Sequence, residues 1–200
     1  MDPEVEPEQN QVEVPLFPLK TVLFPGGPLP LRVFETRYLD MISACLKENR
    51  GFGVVLIREG EEVGATSTHE TGTMAEIVDW YQGSDGLLGV TAEGRERFRL
   101  TRTRRQKDGL NLGTVEFLSP EPRMPLPERF SAMARILQEV MDDLGSHYQE
   151  IEKNYQDASW VGYRFAEILP LPMEQKQQYL EMNDPERRLE MLRPLLKIKS

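Results

Sequence analysis

The run VPLFPLKTVLFPGGPLPLRVFETRYLDMI, residues 14–42, constrains the fold more than any other part of the chain. It sets five prolines, two glycines and many large apolar residues into 29 positions. A proline donates no backbone hydrogen bond, so such segments belong at strand starts, sheet edges or bulges. Val14–Leu19 and Val22–Phe24, interrupted or closed by Pro15, Pro18 and Pro25, are therefore expected away from the centre of a regular sheet. Gly26-Gly27 then permits a sharp turn with positive φ. From Phe34 the period changes. Phe34, Tyr38, Met41 and Ile42 recur at helical spacing, which predicts a helix over 34–46.

Downstream, short β-like runs alternate with glycine turns. Phe52–Ile57 is a continuous apolar run of strand length, and Ala75–Tyr81 and Leu87–Thr91 read as further strands. Arg97–Thr103 alternates, with Phe98 and Leu100 expected inward and Arg97, Arg99 and Thr101 outward. Asn111–Leu118 pairs with it through the hairpin signal Lys107-Asp108-Gly109. The polar stretch 65–72 reads as an exposed loop. Many short strands with glycine turns imply a small barrel or sandwich.

After the proline-rich connection at 119–127 the period becomes helical. One apolar stripe is Phe130, Met133, Leu137, Val140, Met141 and Leu144; a second is Ala158, Val161, Phe165 and Ile168. Pro172 opens a third helix. Asp184 is an N-cap with Pro185 at the first position of a fourth, which Pro194 should end near Arg193. The expected organisation is an acidic leader over 1–13, a β-rich unit over 14–122, and a helical bundle over 123–200 packed on it.

Five acids and no base stand in residues 1–13, so removing them from the net charge of −9 leaves −4. That balance argues against a dedicated nucleic-acid or anionic-membrane binder. No run approaches the ~20 apolar residues of a membrane span. With Cys45 alone there is no internal disulfide, and a reducing cytoplasm fits best. No phosphate-binding GxxxxGK[ST] loop and no GxGxxG occur. His69, His147 and Cys45 are too scattered for a metal site. Ser67, Thr68, His69 and Glu70 adjoin in sequence, but catalytic groups converge from separate segments, so they read as solvated loop. Neither catalytic residues, metal ligands nor a cofactor are expected.

Several segments resemble the substrate-binding N-terminal domain of Lon proteases: the 14–42 run with its Phe34-Glu35-x-Arg37-Tyr38 hallmark, FGVVLI at 52–57, EVG at 62–64, GTMAEI at 72–77, DGLLGV at 85–90, GRERFRL at 94–100 and, more weakly, the helical end at 169–192. The resemblance implies an α+β fold, a PUA-like β-pseudobarrel with one inserted helix followed by a C-terminal helical bundle. It implies a stand-alone, non-enzymatic form of the domain, without ATPase or peptidase modules. It further implies an adaptor or holdase that binds unfolded or degron-bearing polypeptide, with an ATP-dependent protease as a possible partner. Phe24, Pro25, Trp80, Tyr81, Trp160 and Tyr163 are the candidates for gripping peptide, since rigid amphipathic rings near a surface suit that task. The alternative is an RNA-binding face on the basic cluster Arg95–Lys107, carried by Arg97, Arg99, Arg102 and Arg104. Glu93, Glu96 and Asp108 lie alongside, and a charged, solvated strand edge is the simpler reading.

Overall fold

The computed structural model describes residues 11–59 and 67–196. Six strands, β1 (Val12–Leu19), β2 (Pro28–Val33), β3 (Phe52–Glu59), β4 (Ser67–Gln82), β5 (Leu88–Arg105) and β6 (Asn111–Phe117), form one mixed sheet in the order β2-β5-β4-β3-β1-β6. β6 also pairs with β5, so the sheet curls back on itself into a pseudobarrel. Helix α1 (Thr36–Glu48) is inserted between β2 and β3. After β6 the described chain carries five α-helices: α2 (Ser131–Asp143), the short α3 (Ser146–Gln149), α4 (Ala158–Ile168), α5 (Met173–Glu181) and α6 (Pro185–Leu192). The architecture is α+β, as expected. Among the described residues no helix is long and apolar enough to cross a membrane.

Alternation along β3 distributes its apolar run among three cores. Phe52 and Val54 pack with Phe17, Tyr38, Met41, Ile42 and Cys45 beneath α1, where the Phe17 and Tyr38 rings stack at 3.9 Å. Val55 joins Leu16, Phe98, Leu100 and Val115. Leu56 belongs with Phe24 to the core of the helical bundle, around Leu137, Val161, Phe165 and Leu189. A strand buried on both faces needs no polar alternation. The hairpin turns match their residues: Gly86 and Gly109 hold φ of 80° and 88°, and the Asp85 and Asp108 carboxylates accept from the amides two residues on. Asp184 caps α6, accepting from the Arg187 amide at 3.0 Å.

Four readings are corrected. β1 lies inside the sheet despite its prolines. Its ladder to β6 spans Val12–Leu16 and its ladder to β3 spans Leu16–Leu19. Pro15 thus faces only β6 and Pro18 only β3, so each has a free side for the missing donor. Residues 67–72 are part of β4, not a loop; His69 is buried, with Nε2 3.3 Å from Glu174 of α5, because the bundle packs there. Ala65, Thr66 and the EVG segment lie outside the described residues. Leu87–Thr91 and Arg97–Thr103 are joined in one strand, β5, which changes partner from β2 to β6 along its length. Arg97 points into the protein rather than to solvent, for the reason given below. At the ends, Val12 and Glu13 belong to β1, while residues 1–10 and 197–200 and the His147 side chain lie outside the described set.

Candidate functional site

A groove of ≈ 590 Å³ runs between the sheet and the bundle. One wall is the middle of β5, Glu93 to Arg97; the other is the start of α4, with Ser159, Trp160 and Tyr163. Pro25 and Gly26 close one end, and the connection at Leu118–Glu121 and Arg123 lines the floor.

The Pro25-Gly26 end is held by a turn that its sequence dictates. The Gly27 amide donates to Phe24 O at 3.0 Å, with proline second and a positive-φ glycine (Gly26, 68°) third. Gly26 N donates to Gly94 O at 2.8 Å, and Gly94 N donates back to Gly27 O at 2.9 Å. The clasp is too close for side chains. A Cβ on Gly94 would stand 2.2 Å from Phe24 O, and one on Gly27 would stand 2.1 Å from Glu167 Oε2.

Buried cations fix the two walls. Arg97, 5% exposed, donates to Leu180 O at 2.8 Å, Met182 O at 2.9 Å and Asn183 Oδ1 at 2.8 Å. Those acceptors lie at the end of α5 and in the link to α6, so the docked bundle turns this arginine inward. Arg188, fully buried on α6, pairs through both terminal nitrogens with Glu121, donates to Tyr179 O at 3.1 Å and stacks 4.0 Å over the Tyr163 ring. Burial pushes the Glu121 carboxyl up, but the hydrogen bonds and charge of Arg188 outweigh it and hold it below the ordinary range. Arg164, also fully buried, donates to Pro25 O and to Glu167 Oε2, each at 3.0 Å. Burial leaves the Glu167 carboxyl raised in spite of Arg164, Lys176 and the Tyr148 hydroxyl, which donates at 2.6 Å. Arg188 and Arg164 were not singled out from sequence, although both occupy stripe positions: Arg188 sits between Pro185 and Leu192 at helical spacing, and Arg164 three residues after Val161.

Trp160 Nε1, Ser159 Oγ and Tyr163 OH are buried atoms without a hydrogen-bond partner. The two hydroxyls stand near the Glu121 carboxylate, yet neither reaches hydrogen-bond geometry. Burial pushes the Tyr163 hydroxyl well above its ordinary value, so it stays a neutral donor. The cleft therefore presents the half-buried Trp160 on its α4 wall, opposite the charged side chains Glu93, Arg95 and Glu96 of β5. Among the described residues no cluster of three or more His, Cys, Asp or Glu could hold a metal.

Of the six peptide-gripping candidates, Pro25, Trp160 and Tyr163 meet in the groove. Phe24 does not project: it is fully buried behind them, 5.7 Å from the Tyr163 ring. Trp80 and Tyr81 are exposed on β4 and do not line it. The four-arginine face does not form as expected. Arg97 is buried, and Arg104 pairs bidentately with Glu13 at 2.6 and 2.7 Å, leaving Arg99 and Arg102 exposed on β5.

A solved Lon N-terminal domain protein from Xanthomonas campestris matches with a TM-score of 0.74 and 37% identity, over 94% of this chain and 99% of that one. Lon protease 2 of Myxococcus xanthus is 26% identical over 191 residues, 92% of this chain and 23% of that protein. Cereblon of Danio rerio is 32% identical over 124 residues, 60% of this chain and 28% of that protein. The chain spans about a quarter of the length of the curated Lon proteases it matches. The family model described as the ATP-dependent protease La (LON) substrate-binding domain matches residues 13–197, and the chain belongs to that family.

Proposed function

We propose that this chain is a polypeptide-recognition module that holds unfolded or degron-bearing segments in the groove between sheet and bundle. It performs no chemistry of its own and works in the cytoplasm as an adaptor for an ATP-dependent protease or as a holdase. The observation that carries the reading is the groove itself, ≈ 590 Å³ between sheet and bundle, with the half-buried Trp160 ring on its α4 wall and Pro25 at its end. An extended peptide covers the Trp160 ring with its side chains, while the polar side chains of β5 that line the groove meet its main chain. The buried, unpaired Cys45 suits a reducing compartment.

The test is fluorescence anisotropy with labelled, reduced and carboxymethylated lactalbumin, a permanently unfolded polypeptide. Binding in the micromolar range is expected. Trp160→Ala should weaken it by about tenfold or more, as loss of an aromatic anchor does, while Trp160→Phe retains most of it. No binding by the parent chain, or equal binding by Trp160→Ala, refutes the groove.

A further inference from the structure

β4 is flanked on both sides over only part of its length. β3 pairs with it from Ser67 to Ala75, and β5 from Thr71 to Gln82. Over Glu76–Gln82, EIVDWYQ, one edge is covered by β5, and among the described residues no strand pairs with the other. The free edge is about 23 Å long at ~3.3 Å per residue. The Trp80 N–H donates to Asp79 Oδ1 at 2.8 Å.

Natural sheets blunt such edges with lysine, proline or inward charge. β2 carries Pro28 and Pro30. Glu76–Gln82 has neither lysine nor proline, and instead exposes Val78 at 49%, Trp80 at 60% and Tyr81 at 48%. Consecutive strand residues project to opposite faces; the Tyr81 ring lies across Gly89 of β5, so the aromatic neighbour left to an added strand is Trp80.

We propose that Glu76–Gln82 of β4 accepts an extended segment of the bound polypeptide as an added strand. The inference rests on the polypeptide-recognition reading and gives it a binding mode. The edge is continuous with the groove: Arg95 lines the groove and donates to Glu76 Oε2 at 2.5 Å, so a segment leaving the groove past Arg95 arrives at the first edge residue. Charge selects the occupant. Arg95 answers Glu76, whereas Asp79 has no cationic partner among the described residues. A client strand with a central lysine or arginine complements it; a second copy of this chain would bring its own Asp79 to the seam. Ladder hydrogen bonds read main chain, so the edge accepts many sequences of that composition.

The experiment follows amide hydrogen exchange of the full chain with and without the unfolded lactalbumin. Anisotropy runs beside it with a short peptide of valine and threonine around a central lysine, and with the same peptide N-methylated at alternate residues. Binding should slow exchange within 76–82 by about tenfold or more. N-methylation and Trp80→Lys should each weaken peptide binding by about tenfold. If lactalbumin binds while exchange at 76–82 is unchanged and Trp80→Lys binds as the parent does, strand addition is wrong and the groove reading stands. If lactalbumin does not bind at all, both fall. If 76–82 becomes protected with doubling of mass on concentration alone, the edge pairs with its own copy and the proposal is overturned.

Discussion

Removing the Glu121 carboxylate should expose how much the junction of sheet and bundle depends on one buried pair. Arg188 is fully buried, and the Glu121 side chain is 4% exposed. Two of the four hydrogen bonds of Arg188 go to Glu121; the others go to Tyr179 O and Met182 O. Glu121→Ala leaves a desolvated guanidinium with carbonyl contacts and no counter-charge, a situation that costs about 3–5 kcal/mol. For a chain of this size each kcal/mol moves Tm by about 2–4 °C, so a fall of roughly 6–20 °C is expected. The double replacement Glu121→Leu/Arg188→Met removes both charges together. Met182 O keeps its Arg97 donor at 2.9 Å, and Tyr179 O loses one donor, so the loss should be nearer ~1–3 kcal/mol. Urea unfolding of the parent, Glu121→Leu, Arg188→Met and the double by circular dichroism completes the cycle. If the double loss equals the sum of the singles within ~0.5 kcal/mol, the pair is uncoupled and the reasoning fails. The same pair has a pH signature. Because the folded Glu121 carboxyl titrates below its unfolded value, its contribution is present above the unfolded carboxylate value, ~4.3, and is lost as pH falls through the folded one. Glu121→Gln should flatten that acid limb; an unchanged slope would contradict it.

Gly94→Ala should destabilise by about 3 kcal/mol, because its Cβ meets the Phe24 carbonyl, which no rotamer change can move. Gly27→Ala meets the end of the Glu167 side chain and should cost less, ~1–2 kcal/mol; the order of the two melting temperatures checks the clasp. Arg97→Met removes three hydrogen bonds between β5 and the α5–α6 link and should cost about 3 kcal/mol. Arg99→Met, at an exposed position of the same strand, should stay within ~0.5 kcal/mol, and equal losses would mean that Arg97 does not tie the bundle to the sheet.

Local chemistry was readable where it is local in its cause. Asp184-Pro185 announces the start of α6, Lys107-Asp108-Gly109 the β5–β6 hairpin, and the apolar stripes of α2 and α4 the faces that form the bundle core. Each rests on backbone dihedrals or on a periodicity within one segment. The Lon-like motifs pointed to the same α+β layout that the structure displays. The misreadings all concern segments whose state depends on a distant neighbour. Pro15 and Pro18 spoke against an interior strand until the split ladders showed one neighbour at each. His69 looked solvated because Glu174, 105 residues away, is invisible from its own segment.

The candidate site divides along the same line. Sequence alone determined that rings at Pro25, Trp160 and Tyr163 were available, that no phosphate loop or metal-ligand spacing was present, and that the chain would fold as strands followed by helices. Only tertiary structure decided which of those rings meet in one groove, and that Phe24 lies behind it. It also decided that Arg97 anchors the bundle instead of facing nucleic acid. The physical reason is burial: alternation along β5 specifies which side chains share a face, but whether a face is covered depends on what docks there. A buried arginine is tolerated only where carbonyls or a carboxylate from another element come to meet it.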